Sequence, residues 1–308
     1  MSEATNGSEV KSPKRSGGGK YAYYPGCSLH STSKEYDIST RAVAEMLGIE
    51  LHEIPDWICC GASPAHTTLH YLSLALPVKN LLITQSTGAN ELAVSCAACF
   101  NRLKAANHIV KTDEEKREKI NELLKDRYKG EIKIKHFLEI IVKEYGLEKI
   151  TQRIIRKLIG LKVVCYYGCL LVRPPKIMEF DDVENPQMMD KLMTELGAES
   201  LDWPYKVECC GAAFSLTKTD IVLKLGNDIL QAAKDAGADC VVVACPLCQS
   251  NLDLRQKEIE KKYNTKLNIP ILYFTQLLGL ALGIEPKKLG LNKHIVSPQS
   301  LLKEKILL

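Results

Sequence analysis

The sequence predicts an α/β protein built from two homologous, internally duplicated domains, each a small parallel sheet flanked by helices. The first observation behind this is repetition. Tyr23-Tyr24-Pro25-Gly26-Cys27 returns as Tyr166-Tyr167-Gly168-Cys169, and Ile58-Cys59-Cys60-Gly61-Ala62 as Glu208-Cys209-Cys210-Gly211-Ala212. Residues 87–99, ending Cys96-Ala97-Ala98-Cys99, then align without a gap with 236–248, ending Cys245-Pro246-Leu247-Cys248. The order is the same both times, as expected of one structural unit used twice. The second observation is that short β-rich runs alternate with longer segments of 3.6-residue period, the pattern of βα units and a parallel sheet. The third is a glycine placed where each helical pattern stops.

Taken in order, strands are expected at 21–24, 50–54, 92–96 and 131–135, answered by 162–166, 199–203, 240–244 and 269–273. A helix over 34–47 stops at Gly48 and one over 186–196 at Gly197. Each half closes alike: Lys133-Ile134-Lys135-His136-Phe137-Leu138 resembles Pro270-Ile271-Leu272-Tyr273-Phe274-Thr275, each followed by an apolar helical stretch and a stop glycine at Gly146 or Gly283. Between the copies, 112–128 reads as a charged amphipathic helix opened by a Thr112/Glu115 capping box, a solvated excursion and not a catalytic element. The expected organisation is a disordered leader over 1–19, a first domain over 20–158, a second over 159–290 and a C-terminal tail over 291–308.

Composition excludes several classes. At 308 residues with 45% hydrophobic and 25% charged side chains, the chain is neither disordered nor fibrous. The longest apolar stretches, near 277–284 and 72–83, are short or interrupted by Pro77 and Lys79, against the roughly 18 residues of a membrane helix. Forty-one basic against 37 acidic residues, with no basic block, argue against nucleic acid as a partner. Twelve cysteines fall below the roughly 8–10% of disulfide scaffolds, and the first twenty residues lack a secretory apolar run. The expected location is therefore cytoplasmic and reducing, where clustered cysteines are ligands or reactive thiols.

Ten of the twelve cysteines fall into two sets of five. The first set is Cys27, Cys59, Cys60, Cys96 and Cys99; the second is Cys169, Cys209, Cys210, Cys245 and Cys248. A tetrahedral zinc site is complete with four ligands, and adjacent cysteines chelate one small ion awkwardly. In an iron-sulfur centre each iron needs its own thiolate, so adjacent cysteines can serve neighbouring irons while a CxxC supplies two more. Gly61 and Gly211, without a Cβ, let backbone amides approach the sulfurs. Cys165 and Cys240 do not recur and are expected in the core. Arg102, Arg173, His30 and His66 lie close to motif cysteines and could meet an anionic thiol compound, although a solvated or packed role is the commoner one for such residues. No dinucleotide or phosphate-loop fingerprint is present, so no flavin or nicotinamide is expected in this chain.

On these ten cysteines, the chain over roughly 20–284 resembles the iron-sulfur B subunit of heterodisulfide reductases, with its tandem cysteine-rich CCG domains. The resemblance implies two noncubane 4Fe-4S clusters, the first set of cysteines holding one and the second the other, with no catalytic residue beyond the clusters. It further implies a small disulfide or thiol substrate, divided between the clusters, and electrons delivered by a ferredoxin-like C subunit linked to a flavoprotein partner. Two one-electron centres facing one pocket would match a two-electron disulfide reduction. The substrate in methanogens is the mixed disulfide of coenzymes M and B, and related bacterial complexes run toward sulfur oxidation. The alternative is an electron-transfer iron-sulfur subunit of a glycolate, lactate or succinate oxidoreductase-type complex. Those chains often carry ferredoxin-type cysteine runs, and none is present here.

Overall fold

Eight short strands pair only in parallel, four to a sheet, in the computed structural model, which describes residues 18–62, 69–305 and 307–308. The leader expected at 1–19 lies outside the described residues except for Gly18 and Gly19, and so does His66. The first sheet contains β1 (Lys20–Tyr24), β2 (Glu50–Glu53), β3 (Glu91–Val94) and β4 (Lys133–His136) in the order β2-β1-β3-β4. The second contains β5 (Lys162–Tyr166), β6 (Glu199–Ser200), β7 (Cys240–Val243) and β8 (Ile271–Tyr273) in the order β6-β5-β7-β8. The duplication read from the sequence thus reappears as one topology used twice. Central strands are buried on both faces, as helix-covered parallel sheets require, and β7 reads Cys-Val-Val-Val with every residue buried. The edge strands β2 and β6 are short and polar, which discourages further pairing.

The longer helices are α1 (Lys34–Leu47), α2 (His70–Ser86), α3 (Ala97–Thr112), α4 (Glu114–Leu124), α5 (Met188–Glu195), α6 (Thr219–Asp235), α7 (Pro246–Leu254), α8 (Gln256–Tyr263), α9 (Phe274–Ala281) and α10 (Gln299–Glu304). Gly48 ends α1 with φ 76°, the left-handed cap its position predicts. Three expectations are corrected. The helix expected over 112–128 is two pieces: α3 runs on through Thr112, and α4 starts after Asp113, whose carboxylate accepts the Lys116 N–H at 3.0 Å. The cap is therefore Asp113 and not a Thr112/Glu115 box. The segment is also no mere solvated excursion, since Ile120 and Tyr128 are fully buried and the Tyr128 hydroxyl donates to Asn107 Oδ1 at 2.6 Å. As expected, the first closing helix stops at Gly146: a π-helical stretch over Ile140–Gly146 ends there, and Gly146, at φ 94°, caps a separate short helix, Leu147–Thr151. Several strands end early, β6 after Ser200, because the next residues leave the sheet to carry the cysteine loops.

The two units share one core. The rings of Tyr36 on α1 and Tyr273 on β8 stack at 4.0 Å and 8°, and Ser39 Oγ lies 2.7 Å from Thr275 Oγ1. The Asn101 amide of α3 donates to the Leu170 and Arg173 carbonyls across the seam at 3.0 and 2.7 Å. Beyond residue 290 the chain packs back: Asp253 accepts the Ile295 and Val296 amides at 2.8 and 3.0 Å, and Leu302 and Leu307 are buried. Cys165 and Cys240 lie fully buried in β5 and β7. Among the described residues no helix is long and apolar enough to cross a membrane. Removal of the α4 cap in Asp113→Ala is expected to lower the midpoint of chemical unfolding, while Thr112→Ala leaves it close to that of the parent.

Candidate metal centre

Both cysteine sets form where parallel strands end and helices begin, the place in α/β sheets where loops and helix N-termini converge. β1 ends at Tyr24, and Gly26 takes φ 76° to present Cys27; β5 ends at Tyr166, and Gly168 takes φ 69° to present Cys169. A Cβ at Gly26 would stand 2.9 Å from Cys99 Sγ, and one at Gly168 3.0 Å from Cys248 Sγ. Glycine is therefore demanded twice, by the left-handed backbone and by the sulfur packed against it.

The adjacent cysteines sit on a tethered loop. The Tyr24 hydroxyl donates to the Ile58 carbonyl at 2.8 Å, and Asn80 exchanges two hydrogen bonds with the Ile58 backbone at 2.9 Å. In the second unit the Tyr166 hydroxyl donates to the Glu208 carbonyl at 2.6 Å. As the sequence suggested, the glycine amides reach sulfur: Gly61 N–H donates to Cys59 Sγ at 3.4 Å and Gly211 N–H to Cys209 Sγ at 3.3 Å. Cys96 and Cys245 are the N-cap residues of α3 and α7, where the helix dipole favours negative sulfur.

The structure gathers the sulfurs of each set. Cys59 and Cys27 are 3.8 Å apart, Cys60 and Cys99 3.3 Å, and Cys210 and Cys248 3.7 Å, with all twelve cysteines as free thiols. Crowded thiols resolve their repulsion by sharing protons. Hydrogen bonds from Cys27 and Cys60 pull Cys59 down to about 2, and one from Cys169 pulls Cys209 down to about 6. The donors move the other way: Cys27 and Cys169 are raised well above the ordinary thiol range, and Cys60 to about 11, by their bonds to the partner sulfur. The two sets also touch each other. Cys245 is driven well below the ordinary value, chiefly by Cys248 and Cys96, while Cys96 is raised by its neighbour Cys245.

Immediately behind this contact lies His136, fully buried, with Nε2 at 2.8 Å from the Ser95 carbonyl and 3.2 Å from the Ala244 carbonyl. Carbonyls only accept, so Nε2 carries the proton while Nδ1 accepts the Leu138 N–H at 3.2 Å. Burial lowers its pKa to about 4, so the ring is neutral at physiological pH. The residues ahead of Cys96 and Cys245 are thereby tied to one imidazole.

The other polar candidates separate. Arg173 is bound bidentately to Glu184 at 2.9 and 2.8 Å, and exposed His30 pairs with Glu53 at 3.2 Å. Arg102 is partly buried; burial lowers its pKa and the nearby Cys60 sulfur raises it. Sequence reasoning missed His136, which carries no motif, and Gly26 and Gly168, which the repeat register already paired. Asn251 was also missed: it donates to the Cys210 carbonyl at 2.9 Å and reaches Cys210 Sγ at 3.9 Å.

Among the described residues, no group of three or more His, Cys, Asp or Glu side chains is arranged around a single metal ion. The donor set itself fits a polynuclear centre: soft thiols in sets of five, already paired sulfur to sulfur, exceed what one tetrahedral ion uses.

These features define a class, a duplicated α/β protein with one thiol-rich site per unit at a common seam. Residues 21–104 and 163–253 each match the CCG cysteine-rich domain, and the chain belongs to that family. It is 32% identical to a Wolinella succinogenes protein named 8-methylmenaquinol:fumarate reductase membrane anchor subunit, over 92% of this chain and 99% of the relative. It is also 32% identical to the B subunit of the ferredoxin/F420H2-dependent CoB-CoM heterodisulfide reductase of Methanosarcina acetivorans, over 90% of this chain and 94% of the relative. In fold it is similar to the crystal structure of a hypothetical protein from Helicobacter pylori, with TM-score 0.72 and 14% identity, covering 93% of this chain and 53% of that one.

Gly26→Ala is expected to lower metal retention as well as stability, because its Cβ meets Cys99 Sγ. Gly88→Ala, at φ 77° with nothing within 4 Å, is expected to cost only the backbone strain of about 1–2 kcal/mol and to leave metal content intact. In reduced, metal-free protein at pH 7, an alkylating reagent is expected to take Cys59 and Cys209 ahead of Cys27 and Cys169. A lowered pKa means thiolate above it, so Cys209 labelling falls as pH drops through about 6 while Cys59 labelling persists; peptide mass spectrometry reads both.

Proposed function

We propose that this chain is the iron-sulfur, disulfide-handling subunit of a heterodisulfide reductase-like oxidoreductase. Cys27, Cys59, Cys60, Cys96 and Cys99 would hold one cluster, and Cys169, Cys209, Cys210, Cys245 and Cys248 the other. The observation that carries this reading is the buried seam at which Ser95 and Ala244, the residues immediately ahead of Cys96 and Cys245, bond one imidazole, His136, at 2.8 and 3.2 Å, so that the two thiol sets are neighbours. Five thiols per set favour the noncubane 4Fe-4S form, since four would complete an ordinary cubane. When bound, such clusters supply one-electron redox steps and iron sites with affinity for sulfur.

The chain supplies the surroundings. Gly61 and Gly211 amides aim at sulfurs that carry negative charge, and such donors stabilise that charge. Tyr24, Asn80 and Tyr166 hold the adjacent-cysteine loops in register. His136, Tyr36 and Tyr273 close the seam to water, while Cys27, Cys59 and Cys209 stay exposed on the side from which a small disulfide or thiol would approach. Reduction of the disulfide takes two electrons and two protons and releases two thiols; oxidation of thiols is the same balance reversed. The electrons would come from a ferredoxin-like C subunit and a flavoprotein partner in the cytoplasm.

A second reading, an electron-transfer iron-sulfur subunit of a glycolate, lactate or succinate oxidoreductase-type complex, draws on the equal identity to the Wolinella protein, which is named an anchor subunit of a fumarate reductase. Anaerobic iron and sulfide analysis with electron paramagnetic resonance (EPR), with and without thiols, separates these. The disulfide reading expects about eight iron per chain and a new paramagnetic signal on adding thiol. A spectrum indifferent to thiols selects the second reading, and about two zinc per chain without sulfide rejects both.

A further inference from the structure

The two units hold the turns that carry their first cysteines in different ways. In the first unit the turn Gly26–His30 closes on itself: the Ser31 hydroxyl donates to the Cys27 carbonyl at 2.8 Å, and the Ser31 and Ser33 amides donate to the Ser28 carbonyl at 3.1 and 2.8 Å. In the second unit the turn Cys169–Val172 runs into Arg173-Pro174, and its hydrogen bonding changes. The Arg173 amide still reaches the Cys169 carbonyl at 3.1 Å. The next carbonyl, that of Leu170, would take the amide of residue 174, and proline has no N–H to give. The Arg173 carbonyl is passed over as well, because the Ile177 and Met178 amides both go to the Pro174 carbonyl, at 3.1 and 2.9 Å. One side chain of the other unit meets both needs. The Asn101 amide, on α3 two residues past Cys99, donates to the Leu170 carbonyl at 3.0 Å and to the Arg173 carbonyl at 2.7 Å, with the Met178 sulfur at 3.4 Å beside them. Asn101 is buried, so bulk water does not supply these donors in its place. The register position in the second unit is Ser250, whose shorter side chain has a single donor.

Resting on the two-cluster reading above, we propose that Asn101 is a positioning residue for the second thiol set: it holds the Cys169 turn from the first unit, so that the second site is complete only while the first unit is seated against it. The first unit's turn has no such need, since residues of its own segment close it. At the entry to the Cys169 turn, the Lys206 carbonyl accepts the Tyr167 and Gly168 amides at 2.8 and 3.1 Å, so the entry is set within the second unit. Only the exit is left to Asn101. Two acceptors have to be met from one point there, and a primary amide has the two N–H groups to do it; a hydroxyl brings one donor and a carboxylate none. Without that amide the exit is freed, and Cys169 loses its fixed place among the sulfurs of its set. Asn101 touches neither sulfur nor substrate and acts through the backbone of residues 170 and 173. A residue two positions from a cysteine of the first set thus governs the second.

The test uses the full chain, purified anaerobically, with iron and sulfide measured per chain and free thiols alkylated and read peptide by peptide. In the parent both cysteine sets are expected to be protected. Asn101→Ser, which installs the side chain that the second unit carries at this register position, is expected to retain about half of the parent's iron and sulfide, one of two four-iron groups being lost. Label is expected at Cys169 and Cys209, while Cys27 and Cys59 stay protected. Should Asn101→Ser not fold, Asn101→Gln, which carries the amide one methylene past both carbonyls, has the same expected result. Ser250→Ala is expected to match the parent. The proposal is overturned if the Asn101 variant keeps full iron with both sets protected, if label appears first at Cys27 and Cys59, or if both sets lose protection equally, as a merely structural role in the shared core would have it. A parent without iron and sulfide overturns the two-cluster reading and leaves the tether testable in the metal-free, reduced chain. There Asn101→Ser is expected to speed alkylation of Cys169 several-fold and to leave Cys27 at the parent rate; an unchanged Cys169 rate overturns the proposal as well.

Discussion

Thiols crowded to within 3.3–3.8 Å of one another cannot all ionise, and this repulsion governs the design around them. Each set has to be neutralised, by shared protons in the metal-free chain or by a cationic centre when loaded. The fold meets that demand with positive ends of dipoles: helix N-termini at Cys96 and Cys245, and glycine amides at Cys59 and Cys209. The same demand explains Gly26 and Gly168, since a sulfur packed this tightly leaves no room for a Cβ on the strand ends beside it.

Duplication then does more than supply a second copy. The two sheets present their cysteine-bearing ends to a common seam, so the CxxC of one unit lies beside the CxxC of the other. One buried imidazole bonds the carbonyls preceding both, and stacked Tyr36 and Tyr273 shut the space alongside. Two thiol-rich sites that share a wall are suited to a reaction that needs two electrons at once.

The sequence made much of this legible because the repeat registers itself. Cysteines at strand ends, the Gly48 cap and the paired strands are local consequences of spacing and propensity, and they stand where the pattern put them. The failures have physical causes. Thr112 looked like a helix start because Ser and Thr caps are common, but Asp113, one residue on, captures the Lys116 amide and α3 runs through Thr112. Gly146, by contrast, does stop the first closing helix, its positive φ breaking the chain before a separate short helix begins. His136 was invisible because its role depends on two carbonyls, 41 and 108 residues away, that only tertiary folding brings together. Asn251 carries no motif either, and its amide reaches the Cys210 carbonyl and sulfur only in the folded chain.

Two clusters held as neighbours across the Cys96–Cys245 seam are the central claim. Its most direct test is the EPR spectrum of the fully reduced, cluster-loaded chain, compared with a Cys209→Ser variant. Mutual broadening or splitting of two centres in the parent, collapsing to a single unsplit signal in the variant, is the predicted result. Two magnetically independent signals in the parent, or a parent spectrum unchanged by Cys209→Ser, would contradict it.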